Sequence, residues 1–139
     1  MKDVRLLTRD FEDAFKMPFR PYELKTLPKG FQYPDQLTPA SEDTELYPWV
    51  FIDPASAVGQ LAWKVRRSDG RNLVPFASVE EDRKDIACFD GDDLSGNPAV
   101  LILVVDGSGR QYSFSDFSAW KCAAEEDAAA WRRDYGSLR

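Results

Sequence analysis

The sequence predicts an α+β domain, and three observations carry that expectation. Apolar residues recur at helical spacing near both ends of the chain. Strand-like apolar runs lie between Trp49 and Ser113. Between the first helix and those runs, Pro18, Pro21, Pro28, Pro34, Pro39 and Pro48 bar regular helix over most of residues 17–48.

The amino-terminal helix is expected over Asp3–Lys16, where Val4, Leu7, Phe11, Ala14 and Phe15 form one stripe that Pro18 ends. Residues 17–48 carry Phe19, Tyr22, Phe31, Tyr33 and Tyr47, which argue for an ordered extended wrap around the core, with short turns or strands inside it. Its most polar piece, Thr38–Glu45, is expected to be its most mobile. Trp49–Ile52 is a short strand. Asp53-Pro54 reads as a cap and first helical position, opening a helix over Pro54–Arg67 with Val58, Leu61, Ala62 and Val65 on its buried face.

Three more strands are expected. Asn72–Ala77 contains Pro75, a mark of an edge or bulge. Asp85–Phe89 places Ile86 and Cys88 on one face and Ala87 and Phe89 on the other. Ala99–Val105 is apolar throughout and suits a central strand buried on both faces. Asp106-Gly107-Ser108-Gly109 then reads as a hairpin loop into Arg110–Ser113. Ser113-x-x-Asp116 resembles a capping box, starting a helix from about Phe114 to Tyr135 with Phe117, Trp120, Cys122, Ala124, Ala128 and Trp131 in apolar contact. One domain over 1–139 accounts for the whole pattern: helix 1–16, wrap 17–48, motif-bearing core 49–135.

Composition narrows the function classes. With 139 residues, 43% of them hydrophobic, the chain can bury a core without disulfide or metal staples. Its 18 Lys and Arg against 24 Asp and Glu give a net charge of −6, which disfavours nucleic acid and favours basic partners. The charged opening Met1–Lys16 predicts no signal peptide, no apolar run is long enough for a membrane span, and Cys88 and Cys122 read as buried or half-buried thiols in a reducing cytoplasm. The sequence has no histidine, so histidine-dependent nucleophiles and metal sites are excluded.

The acidic stretch from Glu80 to Asp93 holds Glu80, Glu81, Asp82, Asp85, Asp90, Asp92 and Asp93. As a calcium loop starting at Asp90 it fails, because Leu94 and Leu101 occupy positions that need oxygen ligands. A paired-carboxylate hydrolase has no further support. A partner-facing acidic surface remains, and so does the plain alternative of two solvated loops flanking a buried strand. Gly107-x-Gly109 has no following helix to present to a phosphate. The four tryptophans read mainly as core, but Trp63 and Trp131 lie beside the main apolar stripes and become interface candidates if they sit at an exposed rim.

The succession Trp49-Val50-Phe51-Ile52-Asp53-Pro54-Ala55, Leu73-Val74-Pro75-Phe76-Ala77, Asp85-Ile86-Ala87-Cys88-Phe89-Asp90, Pro98-Ala99-Val100 and Tyr112-Ser113-Phe114-Ser115-Asp116-Phe117 resembles the SMI1/KNR4 family, or SUKH superfamily. The resemblance covers roughly half the chain. It implies a single twisted, mainly antiparallel sheet with helices packed against it. It also implies a non-catalytic protein-binding role without a cofactor or metal, since many bacterial members are similar to immunity proteins that neutralise a toxin. A regulatory or small-ligand-binding scaffold is the alternative within the same family. On the immunity reading the partner is a basic toxin domain, with Glu80, Glu81, Asp82, Asp92 and Asp93 steering the encounter and Trp63 and Trp131 as apolar contacts. Oligomeric state is left open.

Overall fold

A computed structural model describes residues 22, 26–41, 46–80, 85–104 and 111–135. The expected helix Asp3–Lys16 lies outside them. The order of elements is α1 (Leu37–Ser41), β1 (Trp49–Phe51), α2 (Ala57–Lys64), β2 (Leu73–Val79), β3 (Asp85–Asp90), β4 (Val100–Val104), β5 (Ser113–Phe114) and α3 (Phe117–Tyr135). The five strands form one sheet in the order β1-β2-β3-β4-β5, every neighbouring pair antiparallel. This is the α+β architecture expected, a sheet with helices packed against it.

Strand faces follow from the two-residue period. Ala87 and Phe89 of β3 and Val100 and Ile102 of β4 join the main core, while Cys88 and Leu103 join Leu73 in a second, smaller cluster on the other face. β4 is therefore buried on both faces, as its unbroken apolar run predicts. Pro75 marks a bulge rather than an edge. Pro75 pairs with Cys88 and Ala77 with Ala87, so two steps on β2 match one on β3. The extra residue, Phe76, resets the alternation, and Val74, Phe76, Ala77 and Val79 all enter the main core.

Aromatic rings fill that core. Phe76 stacks on Phe89 with centroids 4.2 Å apart, meets Trp120 edge-on at 4.8 Å and touches Phe117 at 5.7 Å. Such pairs add about 0.5–1.5 kcal/mol beyond area burial. Helix α3 supplies its half through Phe117, Trp120, Ala124 and Ala128. Cys122 does not join them and is exposed. At about 100° per residue it points some 200° away from Trp120, off the buried stripe.

Both principal helices begin one turn later than their first capping signal. Ser56, not Asp53, caps α2: its hydroxyl accepts from the Gly59 N–H at 3.0 Å. Asp53 instead closes the preceding turn, taking the Ala55 N–H on its side chain at 3.0 Å and the Ser56 N–H on its carbonyl at 3.0 Å. Ser113 lies in β5, and Asp116 caps α3 by accepting from the Ala119 N–H at 2.9 Å. The loop 106–109 is outside the described residues, and β5 spans Ser113–Phe114 rather than Arg110–Ser113.

The wrap is anchored where it is described. Tyr22, Leu27, Phe31, Leu37, Ala40 and Leu46 are buried. Thr38–Ser41 is helical, part of α1, with the Ser41 hydroxyl donating to the Thr38 carbonyl at 2.6 Å. Tyr22 donates its hydroxyl to the Gly59 carbonyl and packs on Trp63 at 4.5 Å. Burial raises the Tyr22 phenol to about 12, so it stays a donor over the working pH range.

That anchor decides which face α2 buries. Gly59 and Ala62 are buried, whereas Val58 and Leu61, expected inside, are 52% and 61% exposed. A Cβ on Gly59 would stand 2.1 Å from the Asp53 carbonyl oxygen and 2.8 Å from the Pro54 Cα. Only a glycine permits this approach. Gly59→Ala, which in an ordinary helix stabilises by about 1 kcal/mol, is therefore expected to destabilise by about 1–3 kcal/mol. Urea unfolding reads the sign directly, and a stabilised variant shows the helix does not pack this closely.

Candidate interaction surface

The acidic stretch does not form one surface. Asp90 pairs with Leu73 at one end of the β2–β3 hairpin, and Glu80 follows Val79 at the other, its N–H donating to the Pro48 carbonyl at 2.7 Å. Roughly 20 Å of strand separates them, about two Debye lengths at physiological salt. Glu80 and the pair Asp92–Asp93 therefore cannot act as one charge. Glu81 and Asp82 lie outside the described residues. Between these two ends lies β3, largely buried along Asp85–Asp90.

Asp92 and Asp93 are also committed to the fold. Asp92 accepts from the Asn72 side-chain amide at 3.0 Å, and the same amide's oxygen takes the Arg66 guanidinium and, at 3.3 Å, that of Arg67. Asn72 thus joins an acidic turn to a basic one. Asp93 closes the loop before β4, one oxygen accepting from the Ser95 N–H and the other from the Ala99 N–H, both at 3.1 Å. The hydrogen bond from the Ser95 side chain, then those from the Ser95 and Ala99 amides, hold its carboxyl below the usual aspartate range. Asp85 is fully buried and accepts the Tyr112 hydroxyl.

Trp63 is half-buried between the main core, Tyr22 and Arg66, whose guanidinium carbon sits 4.3 Å over its ring. It is a packing residue in this setting. Trp131 is different. It lies on the last turns of α3, half-exposed, with Tyr47 edge-on at 4.8 Å and Tyr135 at 5.5 Å. Tyr47 and Tyr135 are 42% and 52% exposed. These three rings form a ledge beside β1. Nearby, the Trp49 ring N–H donates to Asp127 at 2.9 Å and ties β1 to α3. The ledge joins residues 88 apart in sequence (135 − 47), so its aromatic spacing gives no local signal. Trp131 alone was visible as a candidate. Tyr47 read as part of the wrap and Tyr135 as a helix end.

A concavity of about 420 Å³ opens between α1 and the start of α3. Gln36, Pro39, Ala40, Phe117, Ser118 and Lys121 line it. Its size falls within the range of small-ligand sites.

The Asp93 geometry fixes a pH dependence. Its folded-state pKa is depressed below the ordinary 3.8. The stabilisation is therefore present in full above that value and is lost as pH falls through the lower, folded-state one. Asp93→Asn is expected to be less stable than the native chain at neutral pH, with the gap narrowing below about pH 4. Thermal melts across this range test it, and a gap unchanged at the acid end shows that the charge contributes nothing.

No protein-family model matches this chain, and comparisons with curated proteins and with solved structures return no match either.

Proposed function

We propose that this chain is a non-catalytic protein-binding domain of the immunity type, which neutralises a cognate toxin by covering it. The observation that carries the binding reading is the Tyr47–Trp131–Tyr135 ledge. Large aromatic side chains are costly to leave wet, and Trp and Tyr dominate the energetics of protein contacts. The sequence supports the non-catalytic part, since a chain without histidine lacks the commonest general base near neutral pH. The resemblance to the SMI1/KNR4 family supports the immunity type. The fold agrees with what that resemblance implies, a five-stranded antiparallel sheet with helices.

In this reading the ledge supplies affinity, and the acidic residues, Glu80 among them, act on encounter with a basic toxin domain. Rim charges change association rate and its salt dependence more than affinity. The alternative is a regulatory or small-ligand scaffold, and the cleft between α1 and α3 favours it.

The test is co-purification with the product of the adjacent gene, which this reading expects to be toxin-like. Trp131→Ala and Tyr47→Ala are expected to weaken the complex by at least ~2 kcal/mol each, the scale of interface hot spots, while their melting curves show the fold retained. Charge reversal at Glu80 and Glu81 is expected to slow association at low salt and leave dissociation nearly unchanged. Co-purification that survives both aromatic substitutions removes the ledge as the site. Absence of any complex, together with saturable small-molecule binding in the α1–α3 cleft, replaces the immunity reading by the scaffold one.

A further inference from the structure

Six large hydrophobic residues are exposed among the described ones: Tyr47, Val50, Val58, Leu61, Leu94 and Tyr135. Tyr47 and Tyr135 belong to the ledge. Val50 and Leu94 stand singly, which is ordinary for a protein surface. Val58 and Leu61 do not. They sit at i, i+3 on α2, about 4.5 Å apart along its axis, and continue the same row to Lys64.

The carboxyl end of α2 and the turn that follows it are basic. Lys64 and Arg67 are exposed, Arg66 and Arg71 half-buried. Arg71 is paired with Asp69 at 2.5 Å. Arg66 is spent on the Leu73 carbonyl at 2.8 Å and on Asn72. Among the described residues Lys64 has no carboxylate partner, and the contact made by Arg67 is with the neutral amide of Asn72. Burial, and next the charge of Arg67, lower the pKa of Arg66, while the charge of Asp92 across Asn72 acts the other way. In a chain with a surplus of 24 carboxylates over 18 basic residues, unneutralised cations at one place need a reason. The helix dipole accounts for cations at a helix end. It does not account for two aliphatic residues left in water beside them.

We propose that this face of α2 docks an acidic amphipathic segment of a partner protein, with apolar side chains on Val58 and Leu61 and carboxylates against Lys64 and Arg67. The choice of occupant rests on charge and shape. The i, i+3 aliphatic spacing matches the anchor spacing of a helix laid against a helix. Aliphatic residues offer no platform for stacked bases, which argues against single-stranded nucleic acid. An eight-residue helix already packed through Gly59 and Ala62 lacks the long apolar face of a membrane-surface helix. Two copies of this face would bring cations together, which argues against a symmetric dimer. This surface shares no residue with the ledge and is of opposite charge preference to the acidic residues discussed above.

The test selects peptides from a displayed random library on the intact chain. The expected winners are net-negative, carry large apolar residues at i, i+3 or i, i+4, and bind more weakly as salt is raised. Their affinity is expected to fall roughly tenfold or more for Leu61→Lys and for a Lys64→Glu, Arg67→Glu double variant. Trp131→Ala serves as the control and is expected to leave peptide binding unchanged, so loss of this surface and loss of the ledge are read separately. Leu61 is exposed, so its substitution is expected to preserve the melting temperature. Neutral or basic winners, winners indifferent to the α2 variants, or no enrichment overturn the proposal. Variant-sensitive binding to vesicles containing anionic lipid, with no peptide selected, reassigns the face to a membrane surface. Variant-sensitive dimerisation reassigns it to a second copy.

Discussion

The bulge in β2 sets the parity on which the rest of the molecule depends. Without it, a strand reading Leu73-Val74-Pro75-Phe76-Ala77-Ser78-Val79 would turn Ala77 and Val79 away from the face that holds Val74 and Phe76. One extra residue opposite the Cys88–Ala87 step puts all four in the core. Pro75, which lacks an N–H, makes a break in regular pairing less costly at this point. Phe76 then reaches Phe89, Phe117 and Trp120, and its carbonyl accepts from the Ile52 N–H at 2.9 Å, extending the pairing past β1. Sheet and long helix meet on this one residue.

Much of the sheet was legible because strand parity is a local property. Ile86 and Cys88 fall on one face and Ala87 and Phe89 on the other, as a period of two requires. The helices were legible as elements but not at their starts, for one shared reason. Asp53 and Ser56, like Ser113 and Asp116, are two capping side chains three residues apart. A propensity argument takes the first. The structure uses the second and spends the first in a turn or a strand.

The buried face of α2 was misread for a deeper reason. Hydrophobic periodicity assumes that the larger apolar residue goes inside. Here, however, the wrap arrives with Tyr22, whose ring takes the space beside Trp63 and whose hydroxyl seeks the Gly59 carbonyl. The partner of a tyrosine that bonds to a helix backbone has to be small. Gly59 and Ala62 are selected inside by that long-range contact, and Val58 and Leu61 are displaced outward. Nothing within residues 57–64 announces it. The same limit applied to the aromatic ledge, where Tyr47, two residues before β1, meets Trp131 of α3 across the fold.

The charges repeat the lesson at the level of function. A net charge of −6 suggests a uniformly acidic surface and a basic partner. Screening makes net charge a poor guide beyond about 10 Å, so what a partner meets is the charge left over locally. In the loop before β4 each carboxylate is tied to a fixed hydrogen-bond donor. Asp90 accepts from the Asp92 N–H, Asp93 from those of Ser95 and Ala99, and Asp92 from the Asn72 amide. Asp90 and Asp93 thereby take backbone N–H groups that no strand pairs in this loop. At the end of α2 the balance is reversed, because Arg66 and Arg71 serve backbone carbonyls while, among the described residues, Lys64 has no carboxylate partner and Arg67 meets a neutral amide. An acidic chain can therefore present a basic contact, and the sign of a binding site follows from which charges folding has already used.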